Sequence, residues 1–208
     1  RANVLQDAGG NAIFTSDGSG NVTGVNSGIG AAKVLLSTTT VTTAVASISI
    51  TTGIDSTYKE YLFEFINMNP ETDQYFRFQV STDGGSNYNT SVTSTSFEAY
   101  HTQSNSAAGL IYDTGRDQGN GTAYQALADH QQSAASSPVS GELHLFNPAS
   151  TTYAKNWYCR SATGDSGVMA TDYFYGGYFN TTSAINAINF KYDSDNIDAG
   201  TIKMYGIK

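Results

Sequence analysis

Residues 58–80, YKEYLFEFINMNPETDQYFRFQV, limit the possible folds of this chain more than any other stretch. Apolar side chains recur at every second position in two segments, which a polar connection of eight residues joins. Because successive side chains of a strand point to opposite faces, each segment has one apolar face that needs a cover. The pattern predicts a β-hairpin whose inner face packs on a second sheet. The predicted inward side chains are Tyr61, Phe63 and Phe65 in the first segment and Phe76, Phe78 and Val80 in the second.

The composition favours the same class of fold. Of the 208 residues, 39% are hydrophobic and only 13% are charged, while Gly, Ser, Thr, Asn and Tyr fill the remaining positions. These residue types favour turns and strands over helices with salt-bridged faces. About ten predicted strands with regular turn signals indicate an all-β chain, folded as one antiparallel β-sandwich of jelly-roll type.

The first thirty residues differ from the rest. Residues 7–12 and 17–22 carry two copies of a D-x-x-G-N pattern, and each copy predicts a turn with glycine at positive φ. Two copies are too few to bury a core by stacking, so we expect residues 1–32 to form a docking or oligomerisation arm with its linker, and residues 33–208 to form the sandwich. A flexible tail is the alternative. The candidate arm residues are Asp7, Gly10, Asn11, Ile13, Phe14, Asp17, Gly20, Asn21 and Val22.

The remaining pattern predicts further strands but leaves one segment open. Residues 123–135 fit either a short helix or a strand, because both periods find apolar positions there. In the segment DYFYGGYFN, the pair Gly176 and Gly177 predicts a bulge or bend within a strand. Ala46, Ile48 and Ile50 are predicted to point inward. The other predicted strands cover residues 33–37, 44–51, 95–102, 139–147, 153–161, 172–180, 185–192 and 201–207.

Charge and cysteine content exclude several classes of function. The net charge is −8 and no basic patch is present, so nucleic-acid binding is not expected. No apolar run approaches the roughly 18 residues of a membrane-spanning helix, so membrane insertion is not expected either. Cys159 is the single cysteine, which rules out an intrachain disulfide and predicts a buried apolar residue.

Two patterns suggest catalysis or a metal and are judged weak. Residues 164–167, GDSG, match the sequence around the nucleophile of chymotrypsin-like serine proteases, but His101, His130 and His144 lack the sequence context of a triad base. We interpret GDSG as a loop turn. The histidines also lack zinc-ligand spacing, and we expect no cofactor. An acidic turn is a weak calcium candidate against an ordinary turn, because its spacing departs from that of an EF-hand. Its residues are Asp193, Asp195 and Asp198.

Scattered carboxylates leave open the hypothesis that the protein is a glycoside hydrolase. A glycoside hydrolase needs two carboxyl groups within about 5–10 Å of each other. The sequence alone does not say whether the fold brings any two together. The candidates are Glu60, Glu64, Glu98 and Glu142.

Tyrosine is the most overused large side chain, with 14 copies. Exposed aromatic rings beside amides are typical of sugar-binding surfaces, because a ring face stacks on the apolar side of a pyranose. Tyrosine is also enriched at subunit interfaces, which is the interpretation we prefer. The candidate glycan or interface residues are Tyr88, Tyr112, Tyr173, Tyr175 and Tyr178.

Three long segments carry a family resemblance. Residues 56–88, 140–158 and 177–208, which follow the D-x-x-G-N arm, resemble little-characterised structural proteins of marine tailed bacteriophages, including those infecting cyanobacteria. The matching segments have the patterns of strands and turns and contain no catalytic signature, so the resemblance assigns no catalytic residue. It implies a virion protein displayed on the particle, as a head decoration, a fibre or a tail appendage.

From the resemblance and the arm we expect a non-enzymatic homotrimer that contacts other virion proteins. A module that binds host surface glycan through loop tyrosines is the second hypothesis, and a glycan-degrading enzyme is the third.

Overall fold

The structure, a computed structural model, describes residues 3–25, 32–131, 133, 135–165 and 168–208. These residues contain fifteen strands and no helix. The chain divides into two compact units, residues 1–34 with Lys208 and residues 35–207. The strands are β1 (Val4–Gln6), β2 (Ala12–Ser16), β3 (Val22–Val25), β4 (Lys33–Val41), β5 (Ile48–Ile50), β6 (Glu60–Pro70), β7 (Gln74–Ser81), β8 (Val92–Thr102), β9 (Ala108–Tyr112), β10 (Gln125–Gln131), β11 (Val139–Phe146), β12 (Lys155–Asp165), β13 (Met169–Phe179), β14 (Ala187–Tyr192) and β15 (Ile197–Ile207).

The first unit holds a three-stranded antiparallel sheet in the order β1-β2-β3. Both D-x-x-G-N copies form the predicted turn between its strands. The Asp7 carboxylate accepts hydrogen bonds from the Asn11 backbone N–H at 2.8 Å and the Asn11 side-chain amide at 3.0 Å. Asp17 and Asn21 repeat this arrangement, with an amide contact of 2.7 Å. The bonds from the asparagines lower the pKa of both carboxyl groups.

The second unit is a sandwich of two unequal sheets. The large sheet has eight strands in the order β4-β15-β6-β11-β12-β13-β8-β9, and the small sheet has four in the order β10-β7-β14-β5. One core of buried apolar side chains lies between them. The prediction of an all-β antiparallel sandwich is therefore confirmed.

The predicted hairpin in residues 58–80 is wrong in its pairing. Strand β6 lies in the large sheet and β7 in the small sheet, so the chain crosses from one layer to the other through residues 71–73. The predicted inward faces are correct, and all six side chains are fully buried. Because the strands belong to opposite layers, their apolar rows face each other: the rings of Phe65 and Phe76 are 5.4 Å apart.

Other local predictions are resolved by the sheet pairing. The ambiguous segment forms strand β10 rather than a helix, and Ala126, Leu127 and Ala128 are buried. Ile48 and Ile50 point inward as predicted, but Ala46 is exposed because the strand begins only at Ile48. Cys159 is buried as predicted.

Strand β13 runs through Gly176 and Gly177 without the predicted bulge or bend. Its register with both β12 and β8 is continuous over this pair. A Cβ at Gly177 would lie 2.3 Å from the Thr93 carbonyl oxygen and 2.8 Å from the Ser94 Cα, whereas one at Gly176 would meet nothing nearer than 3.8 Å. Close approach of β8 therefore explains Gly177, and Gly176 has room for a side chain.

The two neighbouring glycines supply a matched test of this packing. We expect Gly177→Ala to lower the free energy of unfolding by about 1–3 kcal/mol, because the added carbon overlaps backbone atoms that cannot rotate away. Gly176→Ala should change it by no more than about 0.5 kcal/mol. Urea denaturation of both variants measures the difference. Equal destabilisation by the two substitutions would contradict the packing described.

Candidate binding surfaces

The first surface that exposes apolar side chains is the arm. In this surface Leu5 is 57% exposed and Val22 is 59% exposed, and Phe14 and Val25 are also exposed. A single three-stranded sheet has no second layer of its own with which to bury such side chains. The arm therefore presents apolar area that only further protein surface could bury.

The structure separates the predicted arm residues into two groups. The turn residues use their polar atoms locally, since the carboxylates of Asp7 and Asp17 accept their bonds from within the turns. Phe14 and Val22 are exposed strand residues and are available for contact, and Ile13 is half-buried. Sequence reasoning missed Val4, Leu5 and Val25, which are also exposed. The available signal was that this short segment has too few strands to bury its apolar side chains. Of the remaining candidates, Gly10 and Gly20 take positive φ in the turns, where Asn11 and Asn21 also lie.

The second surface is the outer face of the large sheet, which points away from the small sheet. Since Leu143 and Leu145 of β11 and Trp157 of β12 point into the core, the alternate residues point outward. His144 stacks on Tyr158, with ring centroids 4.5 Å apart. The outer face also carries a stacked pair, Phe97 and Phe174, at 4.8 Å, and the exposed ring of Tyr178.

Charged groups lie beside these rings. The Arg160 guanidinium donates three hydrogen bonds to the Asp172 carboxylate, two from Nε at 3.1 and 3.2 Å and one from a terminal nitrogen at 2.6 Å, and this contact raises the pKa of Arg160. The same guanidinium lies 5.1 Å from the centroid of the Phe174 ring. Arg160, Asp172 and Phe174 therefore place a cation, a carboxylate and an aromatic face within one exposed area.

A shallow groove crosses the outer face next to this pair. Its first part has a volume of about 510 Å³ and is lined by Glu64, Glu142 and Arg160 among others. Its second part, of about 570 Å³, is lined by small residues such as Ala170, and the two parts share Ala162 and Asp172. The small side chains make the groove, because they leave space between the taller rows on each side.

The structure brings some of the candidate carboxylates together. Glu64 and Glu142 are direct cross-strand partners of β6 and β11, and both line the groove. His144 lies between Glu60, 2.5 Å from its Nδ1, and Glu142, 3.7 Å from its Nε2. Glu98 lies on β8, opposite Tyr173.

The tyrosine candidates divide by exposure. Tyr112 is 52% exposed and its hydroxyl donates to Asp117 at 2.6 Å; Tyr178 is exposed and Tyr88 is half-buried. Tyr173 and Tyr175 are buried, so their prediction as surface contacts is wrong for this chain. Alternation along β13 points both rings into the core, where the Tyr173 hydroxyl donates to the Asp129 carbonyl at 3.0 Å and burial raises the pKa of both phenols.

Sequence reasoning also missed Tyr158, an exposed ring at the centre of the outer face. The available signal was the predicted burial of Cys159, because strand alternation then requires its neighbour Tyr158 to point outward. The exposed rings of this face therefore lie on strands, whereas the prediction placed them in loops.

The acidic turn uses its oxygens within the protein. Asp193 accepts a hydrogen bond from Arg77 at 3.0 Å, and Asp195 accepts bonds from the Thr72 hydroxyl and from the Asn196 backbone. Asp198 is exposed. Across the described residues, no group of three or more His, Cys, Asp or Glu side chains could hold a metal ion. In the GDSG sequence, Gly164 and Asp165 belong to β12, while positions 166 and 167 lie outside the described residues.

Comparison with protein-family models, with curated proteins and with solved structures found no match. In the part of the chain that the structure describes, no helix is long and apolar enough to cross a membrane.

Proposed function

We propose that the protein is a non-enzymatic structural component of a tailed-phage virion, as a head decoration, a fibre or a tail appendage. The arm docks or trimerises, and the sandwich is displayed outward. The resemblance of residues 56–88, 140–158 and 177–208 to phage structural proteins supports the virion setting. The rigid two-sheet core and the exposed arm support a division into a displayed part and an attaching part.

The observation that carries the proposal is the exposed apolar surface of the arm. Full burial of a Leu, Val or Phe side chain contributes about 1.5–3 kcal/mol, so covering Leu5, Phe14 and Val22 in each copy gives a substantial driving force for association. The short strands β1 and β3 also form the two edges of the arm sheet. Closed symmetry lets such edges and side chains meet across subunits, and we propose a trimer.

Replacing two exposed apolar side chains of the arm should therefore dissociate the oligomer. We expect the full-length chain to sediment as a trimer or a multiple of trimers, and the double variant Leu5→Ser, Phe14→Ser to form no trimer, because the variant loses the apolar area that drives trimer association. Sedimentation velocity measures the masses. The control is the double variant Tyr153→Ser, Val168→Ser, whose side chains are 68% and 56% exposed in the second unit.

A monomeric full-length chain would contradict the proposal, as would equal dissociation of the arm and control variants. Virion incorporation is the second readout: the arm variant should be lost from purified particles while the control variant is retained.

The outer face of the large sheet supports a second candidate function, recognition of a host surface glycan. The exposed rings of Tyr158 and Tyr178 offer flat apolar faces, and the Arg160–Asp172 pair offers a donor and an acceptor for sugar hydroxyls beside the groove. Glu64 and Glu142 also line the groove, and the chain has a net charge of −8. This charge favours neutral or amino sugars over anionic glycans.

Removing the two outer rings should abolish glycan binding if this second function holds. We expect the double variant Tyr158→Ala, Tyr178→Ala to bind at least tenfold more weakly than the unchanged chain on an array of neutral and amino-sugar glycans, because it loses both stacking faces. Tyr153→Ala, which removes a ring that is 68% exposed, serves as the control.

Failure of the unchanged chain to bind any glycan would end this second candidate. Release of new reducing ends from the arrayed glycans would instead favour the enzymatic hypothesis, especially if Glu142→Gln abolished it, because Glu64 and Glu142 are the carboxylates that the fold pairs.

A further inference from the structure

The large sheet ends at strand β9, whose exposed apolar side chains are unusual for an edge strand. Residues 108–112, AGLIY, pair with β8 along one side, and no strand lies on the other side within the described part of the chain. Leu110 is 71% exposed and Ile111 is 45% exposed. An edge strand carries a row of unpaired backbone N–H and C=O groups, which is a template for another strand.

Strand β9 exposes apolar side chains on both of its faces. Leu110 lies opposite Ala99 and Tyr112 opposite Phe97, which places both on the outer face, while Ile111 lies on the other face. Strand β10, at the edge of the small sheet, packs on β12 and β13. The large sheet continues beyond β12 and β13 to β8 and then β9. Strand β9 therefore lies beyond the strands on which β10 packs, and Ile111 remains exposed.

The usual protection of an edge strand is missing here. Natural sheets blunt their edges with charges, proline, bulges or very short strands. Strand β9 has no charged residue and no proline, and its register with β8 contains no shift. The other edges of the two sandwich sheets differ: β5 has three residues, the register of β10 shifts twice, and β4 contains Lys33 and four Ser or Thr residues.

We propose that β9 pairs antiparallel with β9 of a second copy of this chain, about a two-fold axis through Leu110. In this register Leu110 lies opposite its own copy, Ala108 lies opposite Tyr112, and Gly109 lies opposite Ile111. Each large side chain off the axis therefore meets a small one, on both faces. This self-complementarity in size, together with the absence of charge, favours a second copy over an unrelated strand.

The contact differs from the proposed arm contact. A cyclic trimer contains no two-fold axis, so a β9 pair joins copies from different trimers. It also lies in the second unit, so its test is separate from the test of the arm.

Cysteine cross-linking of the full-length chain tests the register directly. In an antiparallel pair the Cα atoms of opposed residues are about 4.5–5.5 Å apart, within the range of about 4.4–6.8 Å that a disulfide spans. Leu110→Cys should therefore form a covalent dimer under mild oxidation. Cys159 is buried, and its burial raises the pKa of the thiol well above its usual range, so it does not compete.

Ala108→Cys is the matched control. In the proposed register two copies of residue 108 are offset by four positions, roughly 14 Å along the strands, which is beyond disulfide reach. We expect its dimer yield to be at least tenfold lower than that of Leu110→Cys. A mixture of Ala108→Cys and Tyr112→Cys chains should form the heterodimer, since these two positions oppose each other. Absence of the Leu110→Cys dimer, or equal yields at positions 108 and 110, would overturn the proposal.

Discussion

The packing of aromatic side chains between the large and small sheets is the interaction on which the rest of the structure depends. Phe78 of β7 contacts Trp157, Phe179 and Phe190, with ring centroids 5.1 to 6.4 Å apart, so one ring joins β7 to strands of both sheets. Because this core determines which face of each strand points inward, it also determines which rings remain outside. The outer face, its groove and the overhanging edge at β9 all follow from a small sheet that covers only part of a larger one.

Period-two alternation was sufficient to predict the inward side chains of residues 58–80 but not the partner of each strand. The rows at Phe63 and Phe78 look the same whether the two strands form a hairpin or belong to opposite layers, because in both cases one face of each strand is buried. Gly177 illustrates the same limit. Position 177 needs glycine because β8, a strand distant in sequence, approaches closely there. No local pattern distinguishes Gly177 from Gly176, which has space around it.

The candidate surfaces were predicted to different degrees for the same reason. The Asp7 and Asp17 turns are closed by hydrogen bonds within five residues, so the sequence pattern alone was enough to predict them. The exposure of a tyrosine depends on which face of its strand is covered by the other sheet: Tyr173 and Tyr175 on β13 are buried, while Tyr158 on the neighbouring strand β12 is exposed. Strand β9 was not among the predicted strands, and its importance arises from its place at the end of the sheet.

We infer that further copies of this chain cover the apolar surface of its arm and the edge strand β9. Amide hydrogen exchange of the full-length chain at two concentrations, one low and one high, tests this claim most directly. We predict that amides of β1–β3 and β9 exchange more slowly at the high concentration, while those of the short edge strand β5 do not change. Identical exchange at both concentrations, with β9 and the arm unprotected, would contradict it.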